Sequence, residues 1–348
     1  MPAIDPDLDA ELAKAVLNAY SEAVTSLLKV VKRRLLFGIN EPGWAEVKLA
    51  QLNELRKEAA AVVNAIDTGA LIDAAVGASY EAGAGAAALE VAEATLVGPS
   101  IISDTTAVKA LQREAVKNVV GTHARILRET TDIYRSVIAE VADQVVVGAA
   151  VRRQAASTAL KRHALQGVTG FVDKAGRNWN LASYVEMATR TATKRAQVFG
   201  RVNQYEADGR ELVIVSNSPE ECKLCRPWEG KVLRLKASTP GRQPTLDKAI
   251  GAGLFHPNCR HDIRVFIPGL STPIEGTADP AGDLQRQQQR NMERGIRQWK
   301  RAEVAAMTEK DSAFAKAKVA EWRKKLDTHV KTNNRKRLPH RESIRQAR

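Results

Sequence analysis

"ELVIVSNSPEECKLCRPWEGKVLRL" (Glu211–Leu235) separates this chain from an all-helical protein. "ELVIVSN" (Glu211–Asn217) is rich in β-branched residues and bounded by Ser, Asn and Pro, so it reads as a strand. "KVLRL" (Lys231–Leu235) reads as a second short strand, and "DIRVFI" (Asp262–Ile267) as a third. Between the first two lies Cys222-x2-Cys225, and just before the third lies "HPNCRH" (His256–His261). Two of the chain's three cysteines and then the last, with two histidines beside it, therefore fall within one segment.

Outward from there the period changes to helical. Leu12, Val16, Leu17, Tyr20, Val24, Leu27, Leu28 and Val31 keep helical spacing, "GINEPG" (Gly38–Gly43) breaks it, and a second amphipathic stretch runs from Trp44 to about Ile66. Residues 69–96 are alanine-rich, which suggests a helix packed closely against its neighbours. A long helical pattern covers Thr105–Val147 and continues helical to about residue 165. His123 and His163 stand alone on helical patterns and read as surface or satisfied core histidines.

Beyond residue 165, Phe171–Trp179 has a hairpin-like look, followed by a helix carrying Leu181, Tyr184, Val185 and Ala188. Pro, Gly, Thr and Ser crowd residues 268–283. The expected fold is mainly α with a small α+β domain. It divides into a helical docking or scaffold arm (1–165), a zinc-knuckle-like α+β module (166–270), a linker (271–283) and basic C-terminal helices (284–348).

The 348 residues carry a net charge of +13, and residues 284–348 hold 19 Lys and Arg against 7 Asp and Glu, so the rest of the chain is nearly neutral. Arg286, Arg290, Arg294, Arg297 and Arg301 recur at steps of three and four, along one helix face, with Met292, Ile296 and Trp299 as the buried stripe. Lys324 and Lys325 follow in a second helix, and Arg335, Lys336 and Arg337 in a basic end expected to be flexible. These ten residues are the candidate nucleic-acid contacts. A phosphate backbone would bind them without regard to sequence and with strong salt dependence. The plain alternative is a solvated basic surface.

Three cysteines fit no disulfide framework, the start "MPAIDPDLDAELAKAV" has no apolar leader, and no uninterrupted apolar run reaches membrane length. The expectation is a soluble protein of a reducing cytoplasm that meets no membrane. Cys222, Cys225 and Cys259, with His256 or His261 as the fourth, have the ligand types and the spacing of a zinc clip. The alternative is reduced thiols and histidines that merely pack. A deaminase needs H-x-E before P-C-x-x-C, and a metalloprotease needs H-E-x-x-H; neither is present.

"CKLCRPWEGKVLRL" (222–235), "HPNCRHDIRVFIPG" (256–269) and "GRNWNLASYVEMATRTA" (176–192), with "RQQQRNMERGIRQWKRAE" (286–303) and "AKAKVAEWRKKLDTHV" (315–330), together resemble the phage minor capsid protein family. That family is related to the Mu F-like head-morphogenesis proteins of tailed bacteriophages. The resemblance covers roughly 110–345. It implies a non-enzymatic structural protein of the virion, made in the host cytoplasm during assembly. It also implies contacts with the portal protein, the major capsid or scaffolding protein, and packaged double-stranded DNA. The family's cysteine pair maps onto Cys222 and Cys225, and its His-Pro-x-Cys-Arg element onto His256, Pro257, Cys259 and Arg260, with His261 favoured as a ligand. Tyr184, Met187, Arg190 and Thr191 match its helix motif and read as core and helix-surface residues. Two other readings stand beside it: a metal-dependent or thiol enzyme (a nuclease or peptidase) acting in the head, and a zinc-containing nucleic-acid-binding protein.

Overall fold

The computed structural model describes residues 11–96, 98–101, 105–142, 149–166, 170–172, 178–218, 223–257, 259–272 and 279–344. In chain order the helices are α1 (Lys14–Leu36), α2 (Trp44–Ala50), α3 (Leu52–Asn64), α4 (Thr68–Thr95), α5 (Thr105–Val120), α6 (His123–Ala142) and α7 (Ala149–Gln166). A hairpin of β1 (Gly170–Val172) and β2 (Asn178–Asn180) precedes α8 (Leu181–Ala207). Then come β3 (Leu212–Val215), β4 (Val232–Arg234), α9 (Leu246–Gly251), β5 (Ile263–Val265), α10 (Pro280–Ala305) and α11 (Glu309–Thr332). The fold is mainly helical with a small three-stranded antiparallel sheet and a two-stranded hairpin, as the residue pattern predicts.

Two predicted helices are each split. The Trp44–Ile66 pattern breaks at Gln51, whose backbone leaves helical geometry (φ −89°, ψ 11°) while its N–H still bonds Val47. The Thr105–Val147 pattern breaks at Gly121 and Thr122, and Thr122 offers its carbonyl to Ile126 at 3.0 Å to start the next helix. Hydrophobic period runs through both breaks because each pair of helices buries the same kind of stripe. Residues 143–147 lie outside the described residues.

The chain forms two compact units, each of three separated segments. The first comprises residues 1–16, 68–119 and 186–286. Its sheet has the order β4-β3-β5, with Val213 paired to Leu233 on one side and Val265 on the other. Val213, Val215, Leu233, Ile263, Leu254 and Phe255 form its core with Val198 and Tyr205 of α8 and Ala87 and Val91 of α4. Helices α4 and α8 meet at glycines. A Cβ on Gly83 would lie 2.0 Å from the Gln197 carbonyl, and one on Gly200 would lie 2.2 Å from that of Tyr80. Glu90 of α4 accepts from Arg201 Nη1 (2.8 Å), from the Tyr205 hydroxyl (2.5 Å) and from the Val265 N–H (3.3 Å). That last bond caps an N–H of edge strand β5. Asp262 sits 3.2 Å from Arg201 Nε and completes a buried charge network.

By length and composition the stretch Leu52–Thr95 could cross a membrane. Within it, α4 carries Asp73, Glu81, Glu90 and Glu93, and spends Tyr80 and Glu90 on bonds inside the first unit.

The second unit comprises residues 17–67, 120–185 and 287–348. Leu28, Val31 and Leu35 of α1 pack with Ile133, Tyr134, Val137 and Val141 of α6 and with Ala156, Ala159 and Leu160 of α7. Trp44 joins them, its indole N–H bonded to the Leu35 carbonyl at 3.0 Å. His123 is a satisfied histidine: its Nε2 lies 2.6 Å from the Tyr20 hydroxyl. Asp311 ties α11 to α7, accepting from Ser157 (2.7 Å), Gln154 (2.8 Å) and Lys161 (2.5 Å). Its backbone N–H is capped by Thr308. Ile296, Val319 and Leu326 pack with Met292, Trp299 and Trp322 between α10 and α11. The C-terminal end, expected to be flexible, is packed through residue 344: Arg341, Glu342 and Ile344 are all buried. Residues 345–348 lie outside the described residues.

Candidate metal centre

The sheet brings two turns to one end. Cys225 leads into a single 3-10 turn, Arg226–Trp228, closed by the Trp228 N–H on the Cys225 carbonyl (2.8 Å). The second turn is closed by the Cys259 N–H on the His256 carbonyl (2.9 Å). Phe255, just before it, holds a left-handed backbone (φ 58°), a conformation that costs energy for a bulky residue and turns the chain sharply into His256. β4 and β5 flank β3, so the residues that precede them are delivered side by side.

Cys225 and Cys259 are buried and form no disulfide, with sulfurs 3.5 Å apart. That is far beyond a disulfide bond. It is close to the edge of a tetrahedron with metal–sulfur distances of about 2.3 Å, roughly 3.7 Å. The ligand atoms of Cys225, His256 and Cys259 all lie within 4.8 Å of one another. His256 Nδ1 lies 2.8 Å from the Pro257 carbonyl, so that nitrogen donates and Nε2 carries the lone pair. The donor set, two soft sulfurs and an imidazole, fits a zinc-like ion. Cys222, the fourth ligand that the spacing suggests, lies outside the described residues.

His261 stands one layer back. Its Nε2 is 2.5 Å from Glu229 Oε1, its Nδ1 is 3.5 Å from Cys259 Sγ, and its backbone N–H points at the same sulfur at 3.4 Å. The side chains of both His261 and Glu229 are only 2% exposed. Glu229 is anchored in turn by the Ser218 N–H at 3.1 Å. A hydrogen bond from the Cys225 thiol, aided by His261, outweighs burial and pulls the Cys259 thiol down to about 4. Burial would lower His261, but Cys259 and Glu229 outweigh it and hold the imidazole above its ordinary value. The bonds from Cys225 and His261 to Cys259 favour its thiolate form. Glu229 escapes the sequence reading; the available signal is an acid four residues after Cys225 in "CRPWEG".

The ten basic residues fall into three environments. Arg294, Lys324 and Lys336 are exposed, and Lys325 is half exposed beside Glu321 at 2.7 Å. Arg286 pairs with Asp283, Arg290 lies 3.7 Å from Glu293, Arg335 bonds Gln289, and Arg337 clamps Glu342 and Asp327. Arg297 and Arg301 are buried, 9% and 3% exposed. The arginine period therefore does not run along a single solvent-facing stripe, because its last two members are buried, Arg297 with a bond to the Arg341 carbonyl.

The model of a family described as phage minor capsid protein 2 matches residues 4–331. No curated protein and no solved structure matches the chain.

Proposed function

Because the chain belongs to the phage minor capsid protein 2 family, we propose that it is a non-enzymatic building part of the phage head, bound at the portal vertex and facing the packaged DNA. Its partners are the portal protein and the major capsid or scaffolding protein, met in the host cytoplasm as the head assembles. The match over nearly the whole length is the observation that carries this reading.

The cysteine–histidine cluster serves the fold. Cys222, Cys225, His256 and Cys259 hold one zinc ion, and His261, braced by Glu229, orients Cys259 toward it. The ion supplies cross-linking between two turns and no reaction. Both sulfurs are enclosed, Cys225 at 0% and Cys259 at 5% exposure, which suits a closed structural centre and leaves a substrate no approach to them.

DNA is met first by Arg294, Lys324, Lys325 and Lys336, as fixed positive charges that neutralise phosphates. Trp299 and Trp322 are occupied in packing, so base stacking has no part in it. Chemical cross-linking of intact particles tests the placement. The expected result is cross-links from this chain to portal protein and to DNA. Cross-links confined to the outer capsid surface or to tail proteins would overturn it.

A further inference from the structure

Residues 335–344 run back over α10. The Arg335 Nε donates to Gln289 Oε1 (2.8 Å), and Gln289 donates to the Lys336 carbonyl (3.0 Å). Arg297 donates to the Arg341 carbonyl (2.8 Å) and Lys300 to the Glu342 carbonyl (2.6 Å). The segment is pinned at its end by Thr25, whose hydroxyl bonds the Ile344 carbonyl (3.1 Å), and by the burial of Ile344 itself. This strap lies beyond the family match, which ends at residue 331.

Next to the two side chains that it holds, Arg297 and Lys300, lies a chemically odd one. Arg301 is 3% exposed, makes no ion pair among the described residues, and its Nε and Nη2 have no hydrogen-bond partner. The charge that bears on it is a like one, Arg297, one turn away. Even lowered to about 9, by burial first and Arg297 second, it stays protonated at neutral pH. A buried cation without a counter-ion is costly; Lys300 feels the Glu342 and Glu303 carboxylates, but its hydrogen bond to the strap, like the one from Arg297 to Arg341, ends on a backbone carbonyl. A phosphate oxygen would give each of these groups a stronger, charge-assisted bond.

We propose that Arg297, Lys300 and Arg301 form a covered polyanion site, and that the phosphate backbone of double-stranded DNA displaces the 335–344 strap to reach it. This rests on the DNA-facing reading above and adds a gate to it: the exposed cations make the first contact, and the covered ones engage afterwards.

The test uses full-length protein, a featureless duplex oligonucleotide and binding measured across a salt series. Ile344→Ser loosens the strap without changing charge, and Thr25→Val loosens it more gently. Both are checked for a native melt. The expected result is tighter low-salt binding by I344S, with the slope of log affinity against log salt steeper by about 3. T25V should shift the same way by less. The increment should vanish in I344S/R297Q/K300Q/R301Q. In the wild type, DNA should raise amide exchange in 335–344. If the wild type binds DNA but I344S keeps its slope, the gate is wrong and the DNA reading stands. If neither protein binds DNA, both fall. If poly-glutamate opens the strap and DNA does not, the site belongs to an acidic protein and the nucleic-acid assignment is overturned.

Discussion

Gly83 and Gly85 stand two residues apart in α4 and should respond to alanine with opposite signs. Alanine is favoured over glycine inside a helix by about 1 kcal/mol. At Gly85 the new methyl would meet only Ile101 Cδ1, at an ordinary 3.8 Å, so most of that gain should appear. At Gly83 it would meet backbone, the Gln197 carbonyl oxygen at 2.0 Å and its carbon at 2.8 Å. No rotamer change relieves that contact. α4 and α8 would have to part by more than an ångström, and the Glu90–Arg201–Tyr205 bonds span the same two helices. Overpacking of this kind costs about 3 kcal/mol, which leaves a net loss of roughly 2 kcal/mol. On a unit of this size that is a fall in melting temperature of about 4–8 °C. G85A should instead rise by about 2–4 °C. Thermal melts of the two variants, with circular dichroism to verify helix content, decide it. G83A melting at or above the wild type, or both variants moving together, would refute the helix contact.

Other expectations follow from the charged and metal-binding groups. Elemental analysis should find about one zinc per chain, and a chelator should lower the melt; Cys259→Ser should do the same, whereas a metal-free protein with an unchanged melt would remove the clip. His256→Ala should abolish metal retention, while His261→Ala should weaken affinity on the order of 10-fold to 100-fold; equal effects would place His261 among the ligands. Asp311→Asn should cost on the order of 2 kcal/mol, seen in denaturant midpoints, because the Lys161 bond loses its charge. Burial pushes the Asp311 carboxyl up, but Lys161, Ser157, Thr308 and Gln154 together bring it down to about 2. With the folded value below the ordinary 3.8, its stabilisation is complete above pH 4 and drains away between about pH 4 and pH 2. D311N should flatten that part of the stability–pH curve.

The strands were readable because β-branched runs such as Leu212–Val215 sit between turn formers, and short antiparallel strands carry that signal locally. Helices were readable as stripes but not as units. Gln51 and Thr122 break the backbone without breaking the apolar period, since hydrophobicity reports burial rather than continuity. At the candidate centre the ligand types and their spacing were visible, yet the choice between the histidines was not. That choice hangs on Phe255's backbone and on Glu229, whose role depends on pairing across the sheet. Charge periodicity misled in its own way: Arg297 and Arg301 keep step with Arg294 but are buried, and Arg297 is held by a segment more than forty residues later. Sequence spacing cannot express what will be laid on top of a helix.

Both units are stitched from segments that alternate along the chain, and this has a consequence at the ribosome. The first unit lacks its sheet until residues 186–286 have emerged, and the second lacks α10 and α11 until synthesis is nearly complete. Early product would therefore wait with α4 made and the face that packs on residues 198–265 uncovered. A nascent chain in that condition is a client for holding chaperones. Ribosome-stalled chains ending near residue 165 should be cut readily by protease, and resistance should arrive late, in two steps.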